Sequence, residues 1–141
     1  MTRPRVYAAH PQASYGAERE RGCLSALAEL LPQCELYDPS GRYLTDAAWL
    51  RAWPRVVRTL SGLIVFGDED GSIGVGCLRE IADCERYYLP VAMLDAECRP
   101  RVLAGLRFLP DSSRSPRRVA YLVAGRRVNL ARHLGLDEAA P

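Results

Sequence analysis

The chain has no lysine: all nineteen of its basic residues are arginine. A nucleotide-phosphate loop ending in Lys-Ser/Thr is therefore excluded. The one glycine-rich candidate, GSIGVG at residues 71–76, also lies after the third strand rather than in the first strand-loop-helix unit expected of a dinucleotide fold. Histidine is nearly absent as well. His10 and His133 stand far apart, the five cysteines form no CxxC pair, and no metal-ligand spacing results, so neither a metal site nor a cofactor is expected. An odd number of cysteines without a disulfide pattern reads as free thiols. No apolar run reaches the roughly 20 residues that cross a bilayer, and the opening MTRPRVYAAHP has no signal-like apolar segment. The expectation is a cytoplasmic protein without membrane contact.

What is present fits one folded domain. With 141 residues and 48% hydrophobic composition, the chain can bury a core without metal or disulfide staples. Charge is uneven along it. Residues 1–98 carry ten arginines against fourteen acids, and residues 99–141 carry nine against three. The sequence thus divides into a core over 1–98 and a basic hairpin and tail over 99–141. Such a segment is able to touch phosphate, but it lacks a recognisable nucleic-acid module and an evident platform of stacked aromatics. A solvated or intersubunit face is the simpler reading, and nucleic acid is not the expected partner.

Periodicity then orders the elements. Residues 3–9 read as a strand, and 17–31 as an amphipathic helix with Leu24, Leu27, Ala28 and Leu31 inward. A short strand follows at 34–37. Residues 45–60 form a helix capped by Thr45 or Asp46, in which Pro54 is expected to cause a kink or a split. The run LIVF at 63–66 is apolar throughout, as in a central parallel strand covered on both faces. A glycine-rich loop over 67–76, a helix over 77–88 and a strand over 89–94 complete an α/β sandwich with a mostly parallel sheet. Beyond it, 105–109 and 118–123 read as an added β-hairpin, with a last short strand at 127–130.

In such a sheet, ligands bind beyond the carboxyl ends of the strands. Two loops converge there, HPQASYG at 10–16 and the acidic, glycine-rich 67–76. His10, Ser14 and Tyr15 offer polar or stacking contacts to a base or sugar, and Gly16 shapes the path into the helix. Gly67, Gly74 and Gly76 line the second loop, with Arg79 or Arg19 beside it for a phosphate. Glu80 falls near the start of its helix, on a face with Gly76, Cys77, Cys84 and Tyr87. The amides and dipole there favour a charged carboxylate, suited to a nucleophile.

The stretch VYAA, the apolar third strand with its acidic loop, and GCLREIADC at 76–84 together resemble the nucleoside 2-deoxyribosyltransferase-like superfamily, which includes nucleotide N-glycosidases. The resemblance covers roughly residues 5–94. It implies a small Rossmann-like or flavodoxin-like fold, a homo-oligomer, and cleavage of the N-glycosidic bond of a nucleoside or nucleotide, by hydrolysis or base transfer. Glu80 takes the place of the family's nucleophile, Gly76 of its motif glycine, and Tyr7 of the tyrosine that orients the carboxylate. The family's aspartate six residues before the nucleophile falls at Gly74, and the one opening the third strand falls near Gly62. Asp70 is then the candidate acid or base. The alternatives are a non-catalytic nucleotide-binding or interaction protein, and nucleic-acid binding through the basic C-terminal segment.

Overall fold

The structure, a computed structural model, describes residues 3–69, 72–95, 97–102 and 128–129. In chain order its elements are β1 (Arg5–Ala9), a 3-10 turn (Gln12–Ser14), α1 (Glu18–Leu30), β2 (Glu35–Tyr37), α2 (Asp46–Val57), β3 (Gly62–Phe66), β4 (Ser72–Ile73), α3 (Val75–Arg86), β5 (Val91–Leu94), β6 (Pro100–Val102) and β7 (Val128–Asn129). The main sheet runs β2-β1-β3-β5-β6. Its first four strands are parallel, and β6 adds an antiparallel edge against β5. This is the Rossmann-like α/β arrangement expected from the alternating pattern.

Strand periodicity explains the two-sided core. Along β1, Val6 and Ala8 point to one face while Tyr7 and Ala9 point to the other; along β3, Ile64 and Phe66 alternate in the same way with Leu63 and Val65. The first face packs on Cys23 and Leu27 of α1. The second packs on Trp53 and Val57 of α2 and on Cys77, Leu78, Ile81 and Cys84 of α3. The chain steps outward from β1 to β2, then back across β1 to β3, so crossovers of one hand must leave α1 on one face and the later helices on the other. The reversal between β1 and β3 opens a crevice at their carboxyl ends.

Several boundaries differ from the sequence reading. Helix α2 continues through Pro54 without a split. Pro54 lies in the last turn, so its missing N–H affects only the end of the ladder, and Thr45 caps the start by accepting from the Ala48 amide at 3.0 Å. In α1 the buried positions are Glu20, Cys23 and Leu27, whereas Ala28 is exposed. The segment at 100–102 was not expected as a strand. It opens on Pro100, which an edge strand tolerates because no ladder N–H is required there. The short strand expected at 127–130 is found as β7, paired antiparallel with β4 inside the loop after β3. The expected hairpin over 105–123 lies outside the described residues. Among the described residues, no helix is long and apolar enough to cross a membrane, and all five cysteines are free thiols.

Candidate active site

A cavity of about 840 Å³ opens on the α2/α3 face, at the carboxyl end of β1. Aromatic rings dominate its walls. Tyr7 comes from β1, Tyr15 from the loop before α1, Tyr43 from the loop before α2, and Trp49 and Trp53 from α2. The two tryptophans are one helical turn apart, so both project from the same side of α2, with ring centroids 6.0 Å apart. Tyr7 stacks on Tyr37 and meets Trp53 edge to face. Flat aromatic walls beside charged groups such as Asp46, Arg79, Glu80 and Arg86 suit a planar ring ligand that carries polar substituents.

Glu80 is the principal acid of this cavity. It sits in the second turn of α3 and is 5% exposed. Its Oε2 accepts from the Tyr7 hydroxyl and from Trp49 Nε1 at 3.0 Å. Burial dominates its electrostatics and pushes its pKa up to about 8, although the Tyr7 and Trp49 hydrogen bonds pull the other way; the charge of Asp83 adds to the rise. The expectation of a readily charged carboxylate near the helix start is thereby corrected. The helix begins at Val75 rather than Cys77, which places Glu80 beyond the first-turn amides and leaves desolvation in control.

The same burial keeps Tyr7 protonated, because an ionised phenol beside Glu80 would be both desolvated and repelled. Tyr15 is raised for the same two reasons in the same order. Tyr7 is therefore a donor that orients one oxygen of the acid. Asp83, one turn further along α3, accepts from Trp53 Nε1 at 2.8 Å and faces Arg86 at 3.7 Å. Each tryptophan of α2 thus binds one carboxyl group of α3.

Of the residues singled out in the sequence, Tyr7, His10, Tyr15, Gly76, Arg79 and Glu80 line this one cavity. HPQASYG accordingly forms part of its wall through His10, Pro11, Gln12 and Tyr15. Ser14, Gly16, Gly67 and Gly74 do not line it. Ser14 is buried and donates to the Pro11 carbonyl at 2.8 Å, closing the 3-10 turn. Gly16 adopts φ +80, a turn conformation that favours glycine, and its amide donates to Glu20. The Gly67 carbonyl accepts from Arg19 Nε at 3.2 Å, and Arg19 also reaches the Asp95 carbonyl, so this arginine ties two strand ends together away from the cavity. Gly74 is the residue preceding α3. Asp70 lies outside the described residues.

The two positions where the family pattern has aspartate differ sterically. A Cβ at Gly62 would come within 3.2 Å of the Pro90 carbonyl oxygen, so a larger side chain there requires the β5 entry to shift. Gly74 has nothing within 4 Å of such an atom.

His10 has a second set of contacts behind the cavity wall. Its ring stacks on Phe66 at 4.5 Å, Nδ1 is 2.8 Å from the Ala8 carbonyl oxygen, and Nε2 is 2.8 Å from Glu20 Oε2. Burial alone would raise the Glu20 pKa, but the Gly16 amide and His10 hold it below the usual carboxylate value.

Sequence reasoning missed the tryptophans as site residues. Both lie within the helix expected over 45–60, and their spacing of one helical turn was the available signal. Compared with protein-family models, with curated proteins and with solved structures, the chain matches none.

Proposed function

We propose that this protein cleaves the N-glycosidic bond of a nucleoside or nucleotide, with Glu80 as the nucleophile. The observation that carries the reading is the pairing of Glu80 with Tyr7 and Trp49 in an aromatic-walled cavity. Two donors fix Oε2, which defines the plane of the carboxyl group and leaves Oε1 as the attacking atom. Oε1 bonds to C1′ of the sugar as the C1′–N bond breaks, and the bonding pair leaves with the base. Asp70 is the acid that protonates the departing base in this scheme. Water then adds to C1′ as the C1′–Oε1 bond breaks, returning Glu80 as a carboxylate and giving its proton to Asp70, which the first step left deprotonated; a second base in place of water gives transfer.

Desolvation is consistent with that role. A buried carboxylate is a stronger nucleophile than a hydrated one, at the cost of being ionised only as pH approaches about 8. Base release should therefore rise with pH through that region. The resemblance over residues 5–94 supports the same chemistry, with Tyr7 as a positioning residue and the aromatic walls as the base platform.

The raised pKa of Glu80 also favours a second reading, in which a neutral carboxyl group donates a hydrogen bond to a bound nucleotide and no bond is broken. A panel of deoxy- and ribonucleosides and their 5′-monophosphates, read by chromatography for free base and by calorimetry for binding, separates the two. Release of base supports the glycosidase. Saturable binding with no release after prolonged incubation replaces it with the binding protein.

A further inference from the structure

We propose that His10, Glu20 and Asp38 form a binding site for one divalent first-row transition-metal ion. These residues come from the end of β1, the first turn of α1 and the residue after β2, and one ligand atom from each lies within 4.8 Å of the others. His10 Nε2 is 2.8 Å from Glu20 Oε2 and 3.7 Å from Asp38 Oδ1. Metal bonds of about 2.0–2.2 Å bring neighbouring ligand atoms to separations of this order.

The imidazole is oriented as a ligand must be. The Ala8 carbonyl only accepts, so Nδ1 carries a hydrogen and donates to it at 2.8 Å, which leaves Nε2 as the nitrogen directed at both acids. Phe66 stacks flat against the ring and Tyr15 meets it edge-on, so rotation away from the acids is blocked. The His10 side chain is fully buried. Both carboxylates are also held from outside the cluster: Gly16 N donates to Glu20 Oε1 at 2.9 Å, and Ser40 N donates to Asp38 Oδ1 at 2.9 Å. Orientation by backbone partners is the usual supporting arrangement of metal ligands.

Charge points the same way. With Asp38 and Glu20 both facing His10 Nε2, two carboxylates converge on one imidazole nitrogen. A divalent ion balances the charge of two carboxylates. One imidazole nitrogen with two carboxylate oxygens favours zinc, manganese, iron or cobalt over magnesium or calcium, which take oxygen ligands throughout. The Asp38 side chain is 34% exposed and gives the ion a route from solvent, while His10 also borders the Glu80 cavity. The three ligands are spread over 29 positions of sequence and three elements, which is why histidine spacing gave no metal signal.

Cobalt(II) titration of the full chain tests this independently of any catalytic activity. The expected result is one ion per chain, visible d–d absorption without a thiolate charge-transfer band, and displacement by zinc. Asp38→Asn and His10→Gln should each weaken binding tenfold or more. Asp38 is partly exposed, so its variant decides the matter if the His10 variant fails to fold. Absence of stoichiometric binding, a thiolate band, or unchanged affinity in Asp38→Asn would overturn the proposal.

Discussion

Replacing Glu80 with glutamine should change how stability depends on pH. In the folded chain the Glu80 carboxyl is 5% exposed and its pKa is pushed up to about 8, whereas the unfolded chain presents it at its ordinary value of 4.5. The folded state therefore binds the proton more tightly. Stability from this group is fully present below the unfolded value and is lost as pH rises through about 8. At 1.36 kcal/mol per unit, the loss between pH 6 and pH 8 amounts to about 2 kcal/mol. Glutamine has the shape of the neutral acid, and its amide oxygen can still accept from Tyr7 and Trp49, but it does not titrate. Urea unfolding of both proteins at pH 6 and pH 8 measures the difference. The starting protein should lose about 2 kcal/mol more than Glu80→Gln over this interval. Equal losses would show that Glu80 is not a buried titrating group and would remove the electrostatic basis of the proposed site.

Tyr7→Phe and Trp49→Phe each delete a donor that favours the charged form of Glu80. If base is released, the rising limb of the pH–rate profile should move to higher pH in both variants, and a limb at the original pH would place these residues outside the reaction. Leu27→Ala opens a void on the opposite, α1 face of the sheet. It should cost about 2–5 kcal/mol in urea unfolding while leaving base release by the folded protein unchanged. A loss of release from fully folded Leu27→Ala would show that the two faces are coupled.

The alternation of strands and helices was legible because each signal is local. LIVF at 63–66 announced a strand covered on both faces, and β3 is buried at every position. Glu80 and Tyr7 were both singled out in the sequence, and they meet across 73 positions of it. The partner Trp49 was not. Its role depends on which face of the sheet α2 covers, which follows from the β2-β1-β3 order, a long-range property that periodicity within α2 does not carry. The charge state of Glu80 was misread for a related reason. A helix start moved by two residues takes Glu80 away from the first-turn amides, and packing against β1 and α2 buries it; neither can be seen in the residues around position 80. Strand β6 escaped because Pro100 and its arginine neighbours resemble a loop until an edge position is available to them.

The central claim is that Glu80 forms the bond to the sugar. Single-turnover release of free base at pH 8, compared between the starting protein and Glu80→Gln at equal folded concentration, tests it most directly. The starting protein should release base from at least one nucleoside or nucleotide, and Glu80→Gln should release none above the uncatalysed background while still binding it. Equal rates of release by the two proteins would contradict the claim.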